Sequence, residues 1–188
     1  MNFETIKKET VILNPNENMA ERRIASEIRM DPLTGRTARI CHFMKHQCEK
    51  PDFDALIAGT ESWCPFCSDR VLKVTPFFPR EIIPEGRLQK KDMVIFPNIA
   101  PYDCLGAVQT FGRHFIPMRE LTPGLIASAF GFALEFFRRV EASGHPESVY
   151  HLVNWNYMPP AGSSLIHPHL QVFSTASVPN LMRQELEA

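Results

Sequence analysis

Residues Asn154–Ser174, NWNYMPPAGSSLIHPHLQVFS, carry the strongest pattern in this chain. A turn rich in Pro, Gly and Ser leads into a His-Pro-His pair, and an alternating apolar segment follows. Because successive side chains of an extended segment point to opposite faces, the polar residues are predicted to share one face and the apolar residues the other. The polar set is His167, His169 and Gln171, and the apolar set that would face a core is Ile166, Leu170 and Val172.

Two neighbouring imidazoles beside a loop rich in backbone N–H groups indicate phosphoryl chemistry. Alternate residues of a strand lie about 6–7 Å apart in Cα terms, so one imidazole could bind a metal ion while the other attacks phosphorus. The Gly162-Ser163-Ser164 turn and Gln171 offer donors for the charge on phosphoryl oxygens. The competing interpretation is that both histidines only decorate a half-exposed strand, and the residues alone leave it open.

The composition is that of a globular protein. The chain has 188 residues, 44% of them apolar and 22% charged, which predicts one domain over residues 1–188. Lys and Arg number 20 and Asp and Glu number 21, so the formal charge is -1. This balance offers no basic excess for a phosphate backbone, and nucleic acid is not an expected partner.

The N-terminal residues MNFETIKKET lack the apolar run of a secretory signal. No window approaches the roughly 20 apolar residues of a membrane span, so no membrane association is expected. The five cysteines, an odd number, therefore favour a reducing, cytoplasmic location and metal-ligating thiols over a disulfide framework.

Cys64-Pro-Phe-Cys67 is a Cys-x-x-Cys knuckle that can grip one tetrahedral zinc ion. A redox pair of the thioredoxin type is the competing use, but it expects a strand before the motif and a helix directly after it. Here the polar segment Lys45–Ser62 is predicted to be a surface loop, and the β-branched and aromatic run Val71–Phe78 follows. Two unrelated buried cysteines are the remaining interpretation.

A zinc site needs further ligands, and several residues are candidates. His114 and His167 are two of them, and the others are local: Cys41, His42, His46 and Cys48. A four-thiolate site that includes Cys41 and Cys48 ranks second, because the six residues between them do not form a knuckle.

Turn signals and periodicity predict the elements around these motifs. Residues 1–30 are predicted to be a tail or an edge strand, Asp31–Gly35 a tight turn, and Thr37–Phe43 a strand. Strands are also predicted at Met93–Phe96, Gly106–Phe111 and Val149–Trp155, the first two as a hairpin.

The clearest helix begins at Thr122 as N-cap, with Pro123 at the first helical position, and ends near Gly144. Its aromatic stripe, which includes Phe130, is assigned to the core. A last helix starts at Pro179-Asn180 and runs to Ala188 without a C-cap, as in a piece of a longer protein.

Five motifs in order resemble those of galactose-1-phosphate uridylyltransferases, a family of the histidine-triad (HIT) superfamily. They are Asp31-Pro-Leu-Thr-Gly35, Cys64-Pro-Phe-Cys67, Phe96-Pro97-Asn98, His114 before Glu120-Leu121, and Ala161-Gly162-Ser163-Ser164 before Ile166-His167-Pro168-His169-Leu170-Gln171. The resemblance covers about residues 28–185 and corresponds to the N-terminal half of that family, whose second half this chain lacks.

The resemblance implies a role for each matching residue. Cys64, Cys67, His114 and His167 would hold zinc, and Glu185 matches a ligand of a second, structural metal. His169 would be the nucleophile and Gln171 would contact the phosphoryl group. The remaining substrate-binding positions are Asn98 for the nucleoside and Asn156, Gly162, Ser163 and Ser164 for the phosphate.

The resemblance implies an α+β fold with a HIT-like antiparallel sheet and packed helices. The function that it implies is that of a nucleotidyltransferase that uses a nucleotide sugar and a hexose-1-phosphate. A homodimer is a further expectation. Gln171 stands where superfamily hydrolases and lyases carry a third histidine, which favours a transferase. Leu170 replaces the usual Gly, as in some dinucleoside-polyphosphate phosphorylases. A phosphorylase or hydrolase of ADP-sugars or dinucleoside polyphosphates, and a non-catalytic zinc-stabilised nucleotide-binding domain, are the alternatives.

Overall fold

The structure, a computed structural model, describes residues 4–41, 53–67, 69–101 and 103–188. These residues fall into two compact units. Residues 4–41 and 179–188 belong to the first unit, and residues 53–178 belong to the second. The expectation of one domain over residues 1–188 stays a prediction.

The first unit contains a three-stranded antiparallel sheet in the order β1-β2-β3. Its strands are β1 (Glu4–Asn14), β2 (Ala20–Met30) and β3 (Thr37–Cys41). The prediction of a tail or an edge strand for the N-terminal residues is incomplete, because two long paired strands lie there. The turn between them is specified by Asn14, whose Oδ1 accepts a hydrogen bond from the N–H of Asn16 at 3.1 Å.

Two other predicted features of this unit are confirmed. Asp31 accepts hydrogen bonds from the N–H of Leu33 and the hydroxyl of Thr34 in a tight turn that ends at Gly35, whose φ is +70°. The C-terminal helix spans Asn180–Glu187. The predicted end of β3 beyond Cys41 lies outside the described residues.

The second unit is built on a five-stranded antiparallel sheet in the order β4-β5-β6-β8-β7. Its strands are β4 (Leu88–Lys90), β5 (Met93–Pro97), β6 (Leu105–Thr110), β7 (Tyr150–Asn154) and β8 (His169–Thr175). The predicted hairpin of β5 and β6 and the predicted strand at β7 are therefore confirmed. Its helices are α1 (Phe53–Glu61), α2 (Val71–Val74) and α3 (Pro123–Ala142).

Helix α3 covers one face of this sheet. Its start is confirmed, because Oγ1 of Thr122 accepts a hydrogen bond from the N–H of Leu125, and Gly144 takes a left-handed φ of +71° after its end. Its buried residues are Ala129, Phe132, Ala133, Phe136, Phe137 and Val140. The assignment of Phe130 to the core is wrong: this residue is 45% exposed.

Cross-strand register separates the two faces of the sheet. Leu170 and Val172 of β8 are fully buried in the cluster that contains Phe132 and Phe136 of α3. Between them stands Gln171, which is opposite Val108 of β6, and Val108 is opposite Phe96 of β5. His169 shares the face of Gln171, because the two residues are separated by one position of the strand. The predicted division into a core face and a polar face is confirmed for β8.

The surroundings of the Cys-x-x-Cys knuckle differ from the sequence prediction. The segment predicted as a loop contains α1, and its residues 45–52 lie outside the described part of the chain. The run after the knuckle begins as helix α2, because the carbonyl of Cys67 accepts hydrogen bonds from the N–H groups of Arg70 and Val71. Pro76 then ends the helix by forcing Thr75 into an extended conformation. Local hydrogen bonding thus outweighs the β propensity of this run.

None of the helices within the described residues has the length and apolar character that crossing a membrane requires.

Candidate active site and metal centre

Four predicted ligands from distant parts of the chain come together at one end of the second unit. One ligand atom from each of Cys64, Cys67, His114 and His167 lies within 4.8 Å of all the others. Cys64 and Cys67 come from the loop after α1, His114 follows β6, and His167 precedes β8. These four residues therefore lie close enough to bind one metal ion.

The hydrogen bonds of both histidines leave the same ring nitrogen free for a metal. Nε2 of His167 lies 2.5 Å from the carbonyl oxygen of Phe111, which can only accept, so this nitrogen carries the proton. Nε2 of His114 lies 3.1 Å from Oγ1 of Thr60, whose own proton is donated to a carbonyl of α1. The Nδ1 lone pair of each ring then points to the thiols. Such contacts orient metal-ligating histidines in general.

The sulfur–nitrogen distances fit a tetrahedral ion. Nδ1 of His167 lies 3.6 Å from Sγ of Cys64 and 3.8 Å from Sγ of Cys67, and Nδ1 of His114 lies 3.4 Å from Sγ of Cys67. Zn–S bonds of about 2.3 Å and Zn–N bonds of about 2.0 Å at tetrahedral angles place S and N about 3.5 Å apart. The donor set and its spacing match zinc, whose identity as the bound ion stays a prediction.

Burial shifts the pKa values of two of these predicted ligands, Cys67 and His167. Desolvation first, and the negative charge of Cys64 second, raise the pKa of Cys67 to about 12. A cation between the two sulfurs would counter both effects by stabilising the thiolates. Desolvation also lowers the pKa of His167 to about 4, against the opposing effect of its hydrogen bond to Phe111. His167 is therefore neutral at pH 7, which is the form that binds a metal.

His169 is held in one tautomer beside this cluster. Its Nδ1 lies 2.8 Å from the main-chain carbonyl oxygen of His167, so Nδ1 carries the proton and Nε2 holds a free lone pair. The ring is only 8% exposed, and this burial lowers its pKa below the ordinary value. Phe66 of the knuckle packs edge-on against it, with ring centroids 5.3 Å apart. The arrangement presents a neutral, oriented imidazole.

A cleft of about 410 Å³ opens next to His169. Four residues predicted from sequence line it: Asn98, Ser164, His169 and Gln171. Most of the other walls are apolar or aromatic, and they come from the knuckle, the end of α2 and the strands: Pro65, Phe66, Val74, Thr75, Pro76, Phe96, Ile99, Ala100, Val108 and Leu165. An apolar slot with a few polar groups is the usual form of a small-molecule site.

The polar groups of the cleft are available to a ligand. Oε1 of Gln171 is buried without a hydrogen bond among the described residues. Oδ1 of Asn98 accepts the N–H of Ala100 at 3.0 Å, which leaves its amide N–H₂ group free to donate. Both residues thus present amide groups to the same space as His169.

The remaining predicted residues lie around or away from this cleft. Asn156 adjoins Gly162, where an added Cβ would lie 3.6 Å from Nδ2 of Asn156. The hydroxyl of Ser163 is used inside the loop, where it donates to the carbonyl oxygen of Leu165 at 2.6 Å. Glu185 is exposed in the first unit, so a second metal site stays a prediction. His42, His46 and Cys48 lie outside the described residues.

Sequence reasoning missed the residues that support the site. Thr60 falls in the segment that the sequence predicts as a loop, although it orients His114 from α1. The sequence gives no role to Phe66 inside the knuckle, although its ring contacts His169 and lies 5.4 Å from the ring of Phe96. The helix-forming residues Ala55, Leu56, Ala58 and Glu61 before the knuckle were the sequence signal that could have placed Thr60 on a helix.

A larger cleft of about 580 Å³ lies on another side of the knuckle, and it contacts Cys67 and His114 but not His169. Its charged lining is mixed: Glu61, Asp69, Arg70 and Arg113. We assign the chemistry to the smaller cleft, because that one contains the free imidazole nitrogen and the polar groups around it.

Comparisons with known proteins agree with this geometry at the level of the fold. No protein-family model matches the chain. An uncharacterized protein of Archaeoglobus fulgidus is 36% identical over 149 residues, which are 78% of this chain and 43% of that protein. The chain therefore spans less than half the length of this relative.

Similar solved structures include histidine-triad proteins. An ADP-glucose phosphorylase from Arabidopsis thaliana with bound ADP-glucose matches with a TM-score of 0.58 and 18% identity, over 86% of this chain and 52% of that one. A histidine triad protein from Clostridium difficile matches with a TM-score of 0.46 and 12% identity, over 62% of this chain and 94% of that one. The fold likeness rests on the first of these. The closer resemblance to galactose-1-phosphate uridylyltransferases stays a prediction.

Proposed function

We propose that this protein transfers a nucleoside monophosphate from a nucleotide sugar through a covalent intermediate on His169. One observation carries the proposal: the main-chain carbonyl of His167 fixes the Nδ1 proton of His169, so Nε2 is a free nucleophile at a cleft. A neutral, oriented imidazole is a competent nucleophile towards phosphorus.

The reaction has two displacements at one phosphorus atom. Nε2 of His169 attacks the α-phosphorus, and a P–N bond forms while the P–O bond to the sugar phosphate breaks. The sugar 1-phosphate leaves with the electron pair of that bond. An oxygen of an acceptor phosphate then attacks the same phosphorus, the P–N bond breaks, and the neutral imidazole is restored.

The cleft has groups for each part of a nucleotide. Phe66, Phe96 and Val108 supply an apolar slot for the base, and Asn98 supplies donors for the nucleoside. The amide of Gln171 and the N–H of Ser164 are the donors for charge that develops on the phosphoryl oxygens, because the N–H groups of Gly162 and Ser163 already donate to the carbonyls of Pro159 and Met158. Asn156, beside Gly162, completes this phosphate pocket.

Zinc fits the proposal as a structural ion. Cys64, Cys67, His114 and His167 fill all four positions of a tetrahedral site, which leaves no position for substrate. When bound, the ion supplies a cross-link between the knuckle and the start of β8. That link holds Phe66 and His169 on the same side of the cleft.

The acceptor distinguishes two versions of the function. A hexose-1-phosphate acceptor makes the protein a nucleotidyltransferase, which the match of its motifs to the uridylyltransferases favours. Inorganic phosphate as acceptor makes it a phosphorylase, and the fold likeness to an ADP-glucose phosphorylase favours this second version.

The test is to trap the covalent intermediate. The zinc-loaded protein is incubated with ADP-glucose or UDP-glucose labelled at the α-phosphorus, denatured and assayed for acid-labile label. We expect label on the wild type and on a His145→Ala control, and none on His169→Ala. An unlabelled wild type with every nucleotide sugar tried would instead indicate a non-catalytic nucleotide-binding domain.

The acceptor is identified from the labelled protein. After removal of free nucleotide, galactose-1-phosphate or inorganic phosphate is added and the released product is analysed. A nucleotide sugar as product supports the transferase, a nucleoside diphosphate supports the phosphorylase, and release of the monophosphate by water alone supports a hydrolase.

A further inference from the structure

Arg87 is a buried cation whose known contacts are with main-chain oxygens and an aromatic ring. It lies just before β4 and is 6% exposed. Its guanidinium donates hydrogen bonds to the carbonyl oxygens of Leu72 at 2.7 Å and Pro76 at 2.9 Å, and to that of Thr75. One planar group thus binds three carbonyls from a stretch of five residues.

These carbonyls belong to the end of α2 and the turn that leaves it. Carbonyls at a helix C-terminus have no partner within the helix, and Arg87 supplies one from 11 to 15 positions away in sequence. Residues Val74, Thr75 and Pro76 of this same stretch line the cleft beside His169. The side chain of Arg87 therefore stabilises the backbone of residues that form part of the cleft wall.

Two neighbouring residues, Phe77 and Gly86, contribute to the placement of the Arg87 side chain. The ring of Phe77 stacks on the guanidinium, 3.7 Å from its carbon to the ring centroid. Gly86 has a φ of +74°, and a Cβ there would lie 2.7 Å from Cδ1 of Phe77. The left-handed φ and the close approach of this ring both favour glycine at position 86, next to Arg87.

The start of the segment that leads to this wall is hydrogen-bonded to the Cys-x-x-Cys knuckle. The carbonyl of Cys67 accepts the N–H groups of Arg70 and Val71 at 2.8 and 2.9 Å. Val71 then packs on the sheet in a cluster with Phe96 and Val108, which are both part of the cleft. The segment between the knuckle and Pro76 is thus held at its start by Cys67 and at its end by Arg87.

We propose that Arg87 is a positioning residue for nucleotide binding. It sets the distance between the cleft wall at residues 74–76 and the opposite side of the cleft at Phe96 and Val108. The inference rests on the proposed function. Arg87 acts on the base slot through the backbone, while His169 and Gln171 act on the phosphorus. Loss of Arg87 then weakens nucleotide binding and leaves the rate of the chemical step largely intact.

The geometry of arginine explains why this position needs it. A guanidinium has five donors in a fixed plane, so its three carbonyl partners are locked relative to one another. A lysine ammonium at the same place is a point charge on a flexible stem and can satisfy the carbonyls without fixing their plane. Arg87→Lys is therefore expected to bind nucleotide better than Arg87→Met and less well than the wild type.

The test measures the affinity for AMP and UMP by calorimetry. Two further readouts are the zinc content and the single-turnover rate of His169 labelling at saturating ADP-glucose or UDP-glucose. In Arg87→Met we expect affinity to fall by about tenfold, equal to roughly 1.4 kcal/mol. The labelling rate is expected to stay within about twofold, with zinc content unchanged. Arg139→Met is the matched control, since Arg139 pairs with Glu85 on the surface and is expected to bind as the wild type does.

The outcomes separate this inference from the proposed function. A wild type that binds neither nucleotide overturns both. If the wild type binds nucleotide and becomes labelled, and Arg87→Met has the same affinity, the inference alone is overturned. The inference is also overturned if Arg87→Met loses both its labelling rate and its zinc.

If Arg87→Met does not fold, Phe77→Leu replaces it, because that change removes only the stacked ring from a residue that is 65% exposed. A loss of about threefold in affinity in Phe77→Leu supports the inference, and unchanged affinity contradicts it.

Discussion

Nδ1 of His169 lies 2.8 Å from the main-chain carbonyl oxygen of His167, while the ring of His167 points its own Nδ1 at the thiols of Cys64 and Cys67. His167 therefore contributes to both halves of the candidate site: its side chain faces the other predicted metal ligands and its main-chain carbonyl orients the ring of His169. Only Pro168 separates these two histidines in sequence.

Metal content should depend on the knuckle. Purified protein is expected to contain about one zinc per chain, because four ligands fill one tetrahedral site. Cys64→Ser is expected to lose most of it, since a serine hydroxyl is a poor ligand for zinc. Elemental analysis measures the content, and Cys104→Ser, at an exposed cysteine away from the cluster, is the control. A Cys64→Ser protein with full zinc content would remove this residue from the site.

His167→Ala should lower stability as well as activity, because metal binding and folding are coupled. The expected decrease in Tm is on the order of 10 °C, since each kcal/mol shifts Tm by about 2–4 °C in a chain of this size. A chelator should lower the Tm of the wild type by a similar amount and have little effect on the variant. The control is His145→Ala, and an unchanged Tm in His167→Ala would contradict the ligand assignment.

Thr60→Val tests the support of His114. Valine keeps the shape of threonine but cannot accept the hydrogen bond from Nε2 of His114. Loss of such a partner typically lowers metal affinity by about 10- to 100-fold. Competition with a chromogenic chelator measures the affinity, with Thr10→Val on β1 as the control. Equal affinity in the two variants would show that Thr60 does not support the metal ligand.

Gln171→Ala separates phosphoryl binding from metal binding. The side chain of Gln171 lines the cleft next to His169, and its N–H₂ group is the donor that we propose for a phosphoryl oxygen. Removing a donor to a developing negative charge commonly lowers the rate by about 10²-fold. We expect such a loss in the single-turnover labelling of His169, with zinc content and Tm unchanged. A variant that labels at the rate of the wild type would exclude Gln171 from the chemistry.

Two features of the candidate site were predictable from local sequence, because each depends on a short motif. A Cys-x-x-Cys spacing brings two sulfurs to one side of a turn, and strand alternation puts His169 and Gln171 on one face. Neither result needs knowledge of the rest of the chain. The same holds for the start of α3 at Thr122 and Pro123, where capping depends only on neighbouring residues.

Local patterns failed where long-range contacts decide the conformation. The run after the knuckle has β-branched residues, yet it forms α2, and the carbonyls of Leu72 and Pro76 are bound by Arg87 from 15 and 11 positions away. Phe130 fits the helical stripe of α3 by spacing, yet the sheet covers a neighbouring face of the helix and leaves this ring exposed. Propensity is weak compared with such tertiary effects.

The sequence by itself determined the spacing of the motifs and the local hydrogen bonds of turns and helix ends, since these depend on covalent geometry and on nearest neighbours. The meeting of Cys64, His114 and His167, separated by up to 103 positions, depends on how β6 and β8 pair and on where α1 ends. So does the role of Arg87, whose partners become adjacent only when α2 lies on the sheet. Distances between remote side chains come from packing, and packing is a property of the folded whole.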